Sequence, residues 1–298
     1  MIPVALTVVI PTYRREDVLL ATLADLIALE PSPAEILVID QTEQHQPDTE
    51  QRLSILNESN KIRWLRQANP SITAAMNRGL LESKNDIILF LDDDIRCEPG
   101  LIAAHIAAHV SHPGALVAGR VIQPWEEGEE APGDGPFRFS GVRPAWIGEF
   151  MGGNFSVNRA DALDLGGFDE NFVRVAFRFE AEFAHRFKHS GGRIYFEPSA
   201  CLHHLKASGG TRTFGDHLTT WKPDHAVGAY YHALRTRPGL GWLAVFLSRP
   251  LRAIATRHHL RRPWWIPVTW LAEGWAMLWA IRLAISGPRY ATSGQTEC

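Results

Sequence analysis

The N-terminal third of the chain alternates short apolar runs with segments that carry apolar residues at helical spacing. A β-branched run at 6–10 stops at Pro11, and the segment 16–29 then repeats apolar residues every three or four positions, which predicts a strand followed by a helix. The same reasoning predicts further strands at 36–39, 61–65 and 87–91 and a helix at 71–82. Strands that alternate with helices indicate an α/β fold with a mostly parallel sheet flanked by helices.

The residue composition of the remaining chain changes twice. The segment 123–148 is rich in glycine, proline and acidic residues, which predicts a long loop rather than a new domain. A helix is expected at 178–189 and a strand at 193–196, and from 216 onward the chain reads as helices with many tryptophans and arginines. We therefore expect a catalytic domain at 1–215 and a C-terminal helical region at 216–298.

Composition and charge narrow the partners and the compartment. With 298 residues the chain can bury a full core, and its net charge of −3 provides no basic field for a nucleic-acid backbone. The three cysteines are widely spaced and indicate neither a disulfide framework nor a zinc cluster. No basic segment precedes the first apolar run, so we interpret that run as a buried strand and not as a signal peptide. A cytoplasmic protein without a nucleic-acid partner is the expectation.

Polar residues directly after each predicted strand are the candidates for chemistry, because parallel sheets bind ligands at the carboxyl ends of their strands. The most unusual of them are three successive aspartates, Asp92, Asp93 and Asp94. Like charges this close oppose joint ionisation unless a cation neutralises them, and Mg²⁺ or Mn²⁺ prefers carboxylate oxygens. Side-chain alternation places Asp92 and Asp94 on one side and Asp93 on the other. A solvated acidic turn is the alternative, but the position at a strand end favours a metal site.

Several segments together resemble the family 2 glycosyltransferases, in particular the rhamnosyltransferase-like members. Over roughly 5–212 the matching segments follow the family order: TVVIPTYRR, EILVIDQT, ANPSITAAMNRGL, DIILFLDDD, GGNFSVNR, GGFDENF, FEAEFAHR and GGRIYFEPSACLHHL. The resemblance implies a GT-A fold and an inverting, hexosyltransferase-class enzyme. It also implies a UDP- or dTDP-sugar donor, an acceptor hydroxyl and Mn²⁺ or Mg²⁺ as cofactor.

The resemblance also implies roles for the nucleotide and metal residues. Pro11, Thr12 and Tyr13 would line the nucleotide pocket, and Asp40 would accept from an N–H of the pyrimidine base. The metal ligands it implies are Asp92 and Asp94, with Asp94 the most direct, while Asp93 would lie near the ribose. Gln41 and Met76 stand where the family often has an acid and an arginine, so the contacts to base and diphosphate differ from the usual pattern.

Further residues are assigned to the sugar, the acceptor and the metal by the same resemblance. Gly153 and Asn154 would lie near the donor sugar and the acceptor. His204 would complete the metal or diphosphate site, although a lone histidine is equally a satisfied structural residue.

The family places its catalytic base six residues before an arginine, which selects Glu180 ahead of Arg186. Phe179 stands where the family usually has a first acid, and this departure leaves Glu182 as the alternative base. Without the resemblance, Glu180 would read as a surface acid beside the apolar face of an amphipathic helix.

The C-terminal region has an unusual mixture of arginine and tryptophan. Five arginines lie within 249–262, and WWIPVTWLAEGWAMLWAIRLAIS follows at 264–286. Such a mixture is typical of helices at a membrane interface, whereas packing on the catalytic domain or in a dimer interface is the alternative. An interfacial helix fits a glycan or lipid-linked acceptor in polysaccharide or glycolipid assembly, with the enzyme peripheral at the inner face of the cell membrane.

Two other functions remain compatible with the sequence. A nucleotidyltransferase also combines a parallel sheet with acidic metal ligands, but it is expected to have a basic glycine-rich loop near the N-terminus, and PTYRRED contains no glycine. A catalytically silent module that binds sugar nucleotides or glycans is the other, because the segment around Glu180 departs from the family pattern.

Overall fold

A computed structural model describes residues 5–128, 136–210 and 218–291. Within these residues the chain forms a nine-stranded sheet with helices on both faces. The strands are β1 (Leu6–Thr12), β2 (Glu35–Asp40), β3 (Arg63–Arg66), β4 (Ile87–Leu91), β5 (Ile95–Cys97), β6 (Ala115–Ile122), β7 (Ala145–Ile147), β8 (Asn154–Asn158) and β9 (Arg193–His204). The helices are α1 (Asp17–Ile27), α2 (Pro47–Glu58), α3 (Ile72–Glu82), α4 (Leu101–Ser111), α5 (Arg159–Asp164), α6 (Phe179–His189), α7 (Val227–Thr236), α8 (Gly241–Ile254), α9 (Arg257–Arg261) and α10 (Trp265–Ile285).

The sheet is parallel in its N-terminal half and mixed beyond it. The strand order is β3-β2-β1-β4-β8-β6-β9-β5, with β7 paired to β9 outside this path. The first four strands are parallel, whereas β8 runs antiparallel to both β4 and β6. The predicted α/β class with flanking helices is confirmed. The expected parallel order holds for β1 to β4, and the sheet becomes mixed where β8 enters beside β4.

Both faces of the central strands are buried, which explains their nearly continuous apolar sequence. Because successive side chains alternate between faces, Val9, Ile88 and Phe90 join one core under α3, α5, α6 and α7. Val8 and Leu89 join the other core, under α1, α2 and α4. A strand buried on two faces needs apolar residues at every position, so the strong sequence signal of β1, β2 and β4 follows from their central place.

Several elements were not predicted from the sequence, and some of them have weak patterns. Helix α2 buries only Thr49 and Leu53, and α4, β5 and β6 were likewise not predicted. Strand β7 lies inside the segment expected to be a loop. Strand β9 continues to His204 rather than ending at 196, since its pairing with β6 resumes after a register shift at Gly119 and Arg120. The polar stretch Glu197–Ser199 lies in that irregular region and interrupts the apolar pattern, so the second part of β9 was not predicted.

The C-terminal helices pack on the sheet domain. Tyr230 and Tyr231 of α7 are fully buried in the same core as Phe90, together with Ala276 and Ala280 of α10. The Tyr231 hydroxyl donates to Asp169 Oδ2 at 2.6 Å, which ties α7 to the segment before α6. One face of the C-terminal helical region is therefore part of the protein interior. The division into two parts at residue 215 stays a prediction.

Candidate active site

The carboxyl ends of β1, β2 and β4 surround a cleft, as expected for a parallel sheet. Its lining contains Pro11, Thr12, Tyr13, Arg15, Gln41, Ser71 and the three aspartates. A larger groove of about 910 Å³ adjoins the cleft and shares Pro70, Ser71 and Arg174 with it. The structure thus brings the predicted nucleotide residues Pro11 to Tyr13 and the aspartates together, beside a space that has room for a nucleotide.

Asp92, Asp94 and His204 form a group that could hold a metal ion. One ligand atom from each lies within 4.8 Å of the others. His204 Nε2 is 3.2 Å from Asp94 Oδ1 and 3.8 Å from Asp92 Oδ2. His204 reaches them because β5 and β9 are antiparallel and pair Ile95 with His204, so a residue far along the chain lies beside the triplet. Two carboxylates and one imidazole suit a divalent cation that keeps positions for phosphate oxygens.

The ring of His204 is oriented for such a role by Gln123. The Gln123 Oε1 atom is 3.1 Å from His204 Nδ1, and a carbonyl oxygen accepts only, so Nδ1 carries the proton. With a cation bound, the lone pair of Nε2 would then be directed at the ion held by Asp92 and Asp94. A hydrogen bond that fixes the tautomer of a histidine ligand is the usual arrangement around protein metals. The adjacent His203 points elsewhere, to Glu98 and Glu127.

Asp93 lies on the other side of the triplet, as side-chain alternation predicts. Its Oδ2 accepts from the Thr12 hydroxyl at 2.7 Å and its Oδ1 accepts from Arg15 Nε at 3.1 Å. Burial, together with the charges of Asp94 and Asp92, raises the pKa of Asp93 to about 7 against the pull of Arg15 and Thr12.

The buried Arg15 was not among the residues predicted from the sequence. Besides Asp93 it donates to Asp94 Oδ2 at 3.1 Å and to the carbonyl oxygens of Ala207 and Ser208. It therefore neutralises part of the triplet and fastens the loop after β9 to it. Nothing in PTYRR distinguishes Arg15 from Arg14, which lies exposed against Glu43. Although burial opposes it, hydrogen bonding from His204 and the charge of Arg15 lower the pKa of Asp94.

Two consecutive glycines separate Glu180 from the candidate metal group, which consists of Asp92, Asp94 and His204. A Cβ on Gly153 would lie 2.2 Å from Asp92 Oδ2, and a Cβ on Gly152 would lie 3.0 Å from Glu180 Oε1. The absence of a side chain at both positions allows the two carboxylates to approach this segment without displacement. Burial first, and then the charge of Asp92, raises the pKa of Glu180 to about 7, while the backbone N–H of Gly152 opposes the rise. A carboxylate with a pKa near neutrality suits acid–base chemistry.

Glu182 lies on the opposite face of α6, away from this segment. It is 2% exposed and forms a two-pronged ion pair with Arg186, at 2.8 and 2.9 Å. Arg186 in turn donates to the carbonyl oxygens of Leu165 and Gly167. The carboxylate of Glu182 is therefore occupied in holding α6 to the segment after α5.

Asp40, which was predicted to lie beside the pyrimidine base, points into the interior, and its contact with a base stays a prediction. It is fully buried, its Oδ2 bonds His45 and Trp64 at 2.8 and 2.9 Å, and its Oδ1 accepts from the Thr42 N–H at 2.9 Å. An interior carboxylate with this many partners has little capacity left for a base N–H. The neighbouring Gln41 lines the cleft instead and accepts from the Ser71 N–H at the start of α3.

The side chain of Asn154 points into the interior, and its predicted place near the donor sugar and acceptor stays a prediction. Its side chain is fully buried, donates to the carbonyl oxygens of Arg120 and Ala200, and accepts from His105 Nε2 at 2.9 Å. These partners join β8 to β6, β9 and α4. The geometry therefore gives Asn154 the task of holding strands together, whereas Gly153 does lie against the metal group.

The family follows from comparison with known proteins. Residues 7–167 match the model of the family described as Glycosyl transferase family 2. The match covers more than half of the chain, and the protein belongs to this family. No curated protein sequence matches the chain.

Three solved structures have a fold similar to that of this chain. GalNAc-T7 with UDP, GalNAc and Mn²⁺ is 14% identical with a TM-score of 0.59, over 77% of this chain and 48% of that chain. The mannosyltransferase PcManGT from Pyrobaculum calidifontis, in complex with GDP-Man and Mn²⁺, is 18% identical with a TM-score of 0.55, over 95% and 79%. S. aureus TarS 1–349 with UDP-GlcNAc is 14% identical with a TM-score of 0.59, over 89% and 79%. These similarities show the GT-A fold, and this chain spans about half the length of GalNAc-T7.

Proposed function

We propose that the protein transfers a sugar, with inversion, from a nucleoside-diphosphate donor to an acceptor hydroxyl, using a divalent metal. The observation that carries this proposal is the placement of two groups on either side of Gly152 and Gly153. One is the candidate metal group of Asp92, Asp94 and His204, and the other is Glu180 with its raised pKa. Family membership supports sugar transfer, and the complexes of the related folds with UDP- and GDP-sugars support a nucleotide-sugar donor.

The leaving group would lie at the metal group. Asp92, Asp94 and His204 would hold Mn²⁺ or Mg²⁺, which supplies positive charge for the departing diphosphate. Arg15 keeps two of the aspartates neutralised and in place, and Gln123 keeps His204 turned toward them. Pro11 to Tyr13 and Gln41 would line the nucleotide, with UDP and dTDP as the expected carriers.

Glu180 would activate the acceptor. Its carboxylate removes the proton of the acceptor hydroxyl as that oxygen attacks the anomeric carbon and the bond to the diphosphate breaks. The proton then passes from Glu180 to solvent. Attack from the face opposite the diphosphate inverts the anomeric centre, and general-base help of this kind contributes about 10²–10⁴-fold in rate.

The acceptor in this proposal is a glycan or a lipid-linked glycan, so the enzyme acts in polysaccharide or glycolipid assembly. The catalytic part would be 1–215 and the helical part 216–298, as expected from the sequence. Support for a cytoplasmic enzyme that lies peripherally at the inner face of the membrane comes from the arginines and tryptophans of the helical part.

A thermal-shift screen of nucleotide sugars tests the binding half of the proposal. A ligand present at a hundred times its Kd stabilises the folded protein by about 2.7 kcal/mol, which raises Tm by several degrees. We expect a UDP- or dTDP-sugar to raise Tm in the presence of Mn²⁺ and to lose this effect in excess chelator. If no nucleotide sugar shifts Tm under either condition, the donor assignment is wrong.

Substituting Gly153 by alanine is expected to disturb the metal group without unfolding the protein. The new Cβ would meet Asp92 Oδ2 at 2.2 Å, so the carboxylate has to move away from His204. We expect Mn²⁺ affinity to fall about tenfold or more, comparable to the loss of a group that orients a metal ligand, measured by calorimetric titration. Gly148→Ala is the matched control, since its Cβ would meet only Lys188 Nζ at 3.6 Å. Equal Mn²⁺ affinity in the two variants would contradict the assignment of Asp92 as a ligand.

A further inference from the structure

The outward face of α10 is apolar, which inverts the usual pattern of a helix on a protein surface. Leu271, Leu278 and Ile285 are 74%, 71% and 82% exposed and follow one another at seven-residue spacing along one line of the helix. Trp270 and Trp275 are exposed beside this line. Among the exposed positions of α10, the only charged residue is Arg282.

Helices α8 and α9 carry further exposed apolar residues. Leu247 and Leu251 of α8 are 72% and 62% exposed, and Leu240, at the residue before α8, is 71% exposed. They recur at the spacing of one helix face, α8 packs against α10, and Leu260 of α9 is 82% exposed. We call these exposed residues of α8, α9 and α10 the apolar face. A surface of this kind marks an interaction site.

Charge indicates what covers the apolar face. Between 238 and 291 the only acidic residue is Glu273, and it is buried against Tyr230 and Arg249. Five exposed arginines border the face, and none forms an ion pair with another residue that the structure describes: Arg252, Arg257, Arg261, Arg262 and Arg282. A second copy of this chain would bring like charges together, which is costly. The surface is complementary to a partner that is apolar within and negatively charged at its boundary.

A cavity beside the face strengthens the preference for negative charge. It measures about 590 Å³, lies between α7, α8 and α10, and has Arg178, Arg237, Arg249 and Arg252 in its lining. Burial, followed by the charges of Arg178, His185 and Arg237, lowers the pKa of His232 in this cavity to about 4. Glu149 and Glu273 also line it, each paired with one of the arginines. The balance of charge in the cavity is positive.

We propose that the apolar face docks on an anionic lipid bilayer, with lipid phosphates at the bordering arginines and in the cavity. The leucines enter the boundary between head groups and acyl chains, and the indole rings of the tryptophans lie at head-group depth. An arginine close to an anionic membrane contributes roughly a fivefold gain in partitioning. The bilayer is therefore the occupant that satisfies both the apolar and the basic residues.

Helix α10 lies on the bilayer in this arrangement and does not cross it. By length and composition Trp265–Ile285 is the one helix in the described residues that could span a membrane. Its other face, however, is buried against the protein through Thr269, Ala272 and Ala276. Glu273 on that face holds Tyr230 and Arg249, and a spanning helix would have to expose it to lipid.

Docking of this face would also bring the active site to the membrane. Phe177 and Arg178 line the cavity, and Glu180 follows them at the start of α6. An acceptor whose phosphate entered the cavity would have its glycan near the proposed base. This consequence rests on the proposed glycosyl transfer, whereas the docking itself does not.

Sedimentation with liposomes tests the docking on the full-length protein without any donor. We expect the protein to sediment with vesicles of phosphatidylcholine and phosphatidylglycerol at low salt and to stay in solution with phosphatidylcholine alone. Leu247→Gln/Leu251→Gln should lower the partition coefficient about tenfold or more, because two side chains no longer enter the apolar boundary. Ile55→Gln on α2, where Ile55 is 54% exposed, is the matched control and should bind like the parent.

The arginines are tested in the same assay. Arg252→Gln/Arg257→Gln should lower binding to the anionic vesicles by about tenfold or more, whereas Arg52→Gln on α2 should leave it unchanged. The proposal is overturned if the parent fails to sediment with anionic vesicles, or if the leucine variant binds as well as the parent. It is equally overturned if light scattering shows a parent dimer that becomes monomeric in the leucine variant, since the face then joins two copies. None of these results bears on glycosyl transfer, which is measured separately.

Discussion

Replacing Asp94 by asparagine is expected to abolish Mn²⁺-dependent turnover while the fold remains intact. Asp94 is the centre of the candidate metal group, because one oxygen faces His204 at 3.2 Å and the other accepts from Arg15 and the Ala207 N–H. Asparagine keeps the shape but removes the charge that holds a divalent cation. We expect kcat/KM to fall by at least about 10²–10³-fold, the loss typical of removing transition-state charge stabilisation.

The control for this variant is Asp164→Asn, at the exposed end of α5, which should keep parental activity. Circular dichroism and Tm show whether the fold has survived, since Arg15 retains Asp93 as a partner when Asp94 loses its charge. Full activity in Asp94→Asn, or in the parent protein with excess chelator, would contradict the metal assignment.

Substituting Glu180 by glutamine is expected to lower kcat by about 10²–10⁴-fold and to leave donor affinity nearly unchanged. Glutamine keeps the size of the side chain and its contact with Gly152 but cannot take a proton. Activity of the parent should fall as pH decreases through about 7, because burial raises the pKa of Glu180 to about 7 and only the ionised form is a base. This acidic limb should disappear from the residual activity of the variant.

The stability of Glu180→Gln separates a catalytic from a structural role. A carboxyl group whose pKa is higher in the folded than in the unfolded protein binds an extra proton when folded, between its ordinary value of 4.5 and about 7. Ionised Glu180 therefore destabilises the fold above that range. We expect Glu180→Gln to be at least as stable as the parent at pH 8, so that lost activity cannot be attributed to unfolding.

Glu182→Gln is the matched comparison on the same helix, and its expected phenotype is the reverse. It weakens the buried ion pair with Arg186, so Tm should fall by an amount that corresponds to about 1–3 kcal/mol, while kcat changes little. If Glu182→Gln instead proves inactive and Glu180→Gln active, the base is Glu182 and the alignment of α6 with the family is displaced by two residues.

The sequence predicted the parts of the site that follow directly from a buried strand. The aspartates come after β4, whose residues are apolar on both faces, so their place at the sheet edge could be predicted without the fold. By contrast, the direction of the side chain that ends β2 could not be predicted. Asp40 also ends a strand, but His45 and Trp64 enclose it. No local pattern reports these partners.

Residues contributed by distant segments were the hardest to predict. The place of His204 depends on the antiparallel pairing of β5 and β9, and β5 is too short to produce a pattern. Arg15 lies in the loop after β1 and donates to two aspartates of the triplet. It also donates to the carbonyl oxygen of Ala207, which lies beyond β9. Asn154 belongs to a motif of the family, but its side chain points into the interior. There it forms a hydrogen bond with His105 of α4, a helix that was not predicted. Long-range packing decides these orientations, and the spacing of residues along the chain carries no information about that packing.

Release of nucleoside diphosphate from a nucleotide sugar, measured with and without acceptor and Mn²⁺, tests the central claim most directly. The account predicts slow release from a UDP- or dTDP-sugar in Mn²⁺, faster release when a glycan or lipid-linked acceptor is added, and none in chelator or in Asp94→Asn. A catalytically silent module would bind the donor and release nothing, and a nucleotidyltransferase would instead form pyrophosphate from a nucleoside triphosphate and a sugar phosphate. Either of those two results would contradict the assignment of this chain as a metal-dependent glycosyltransferase.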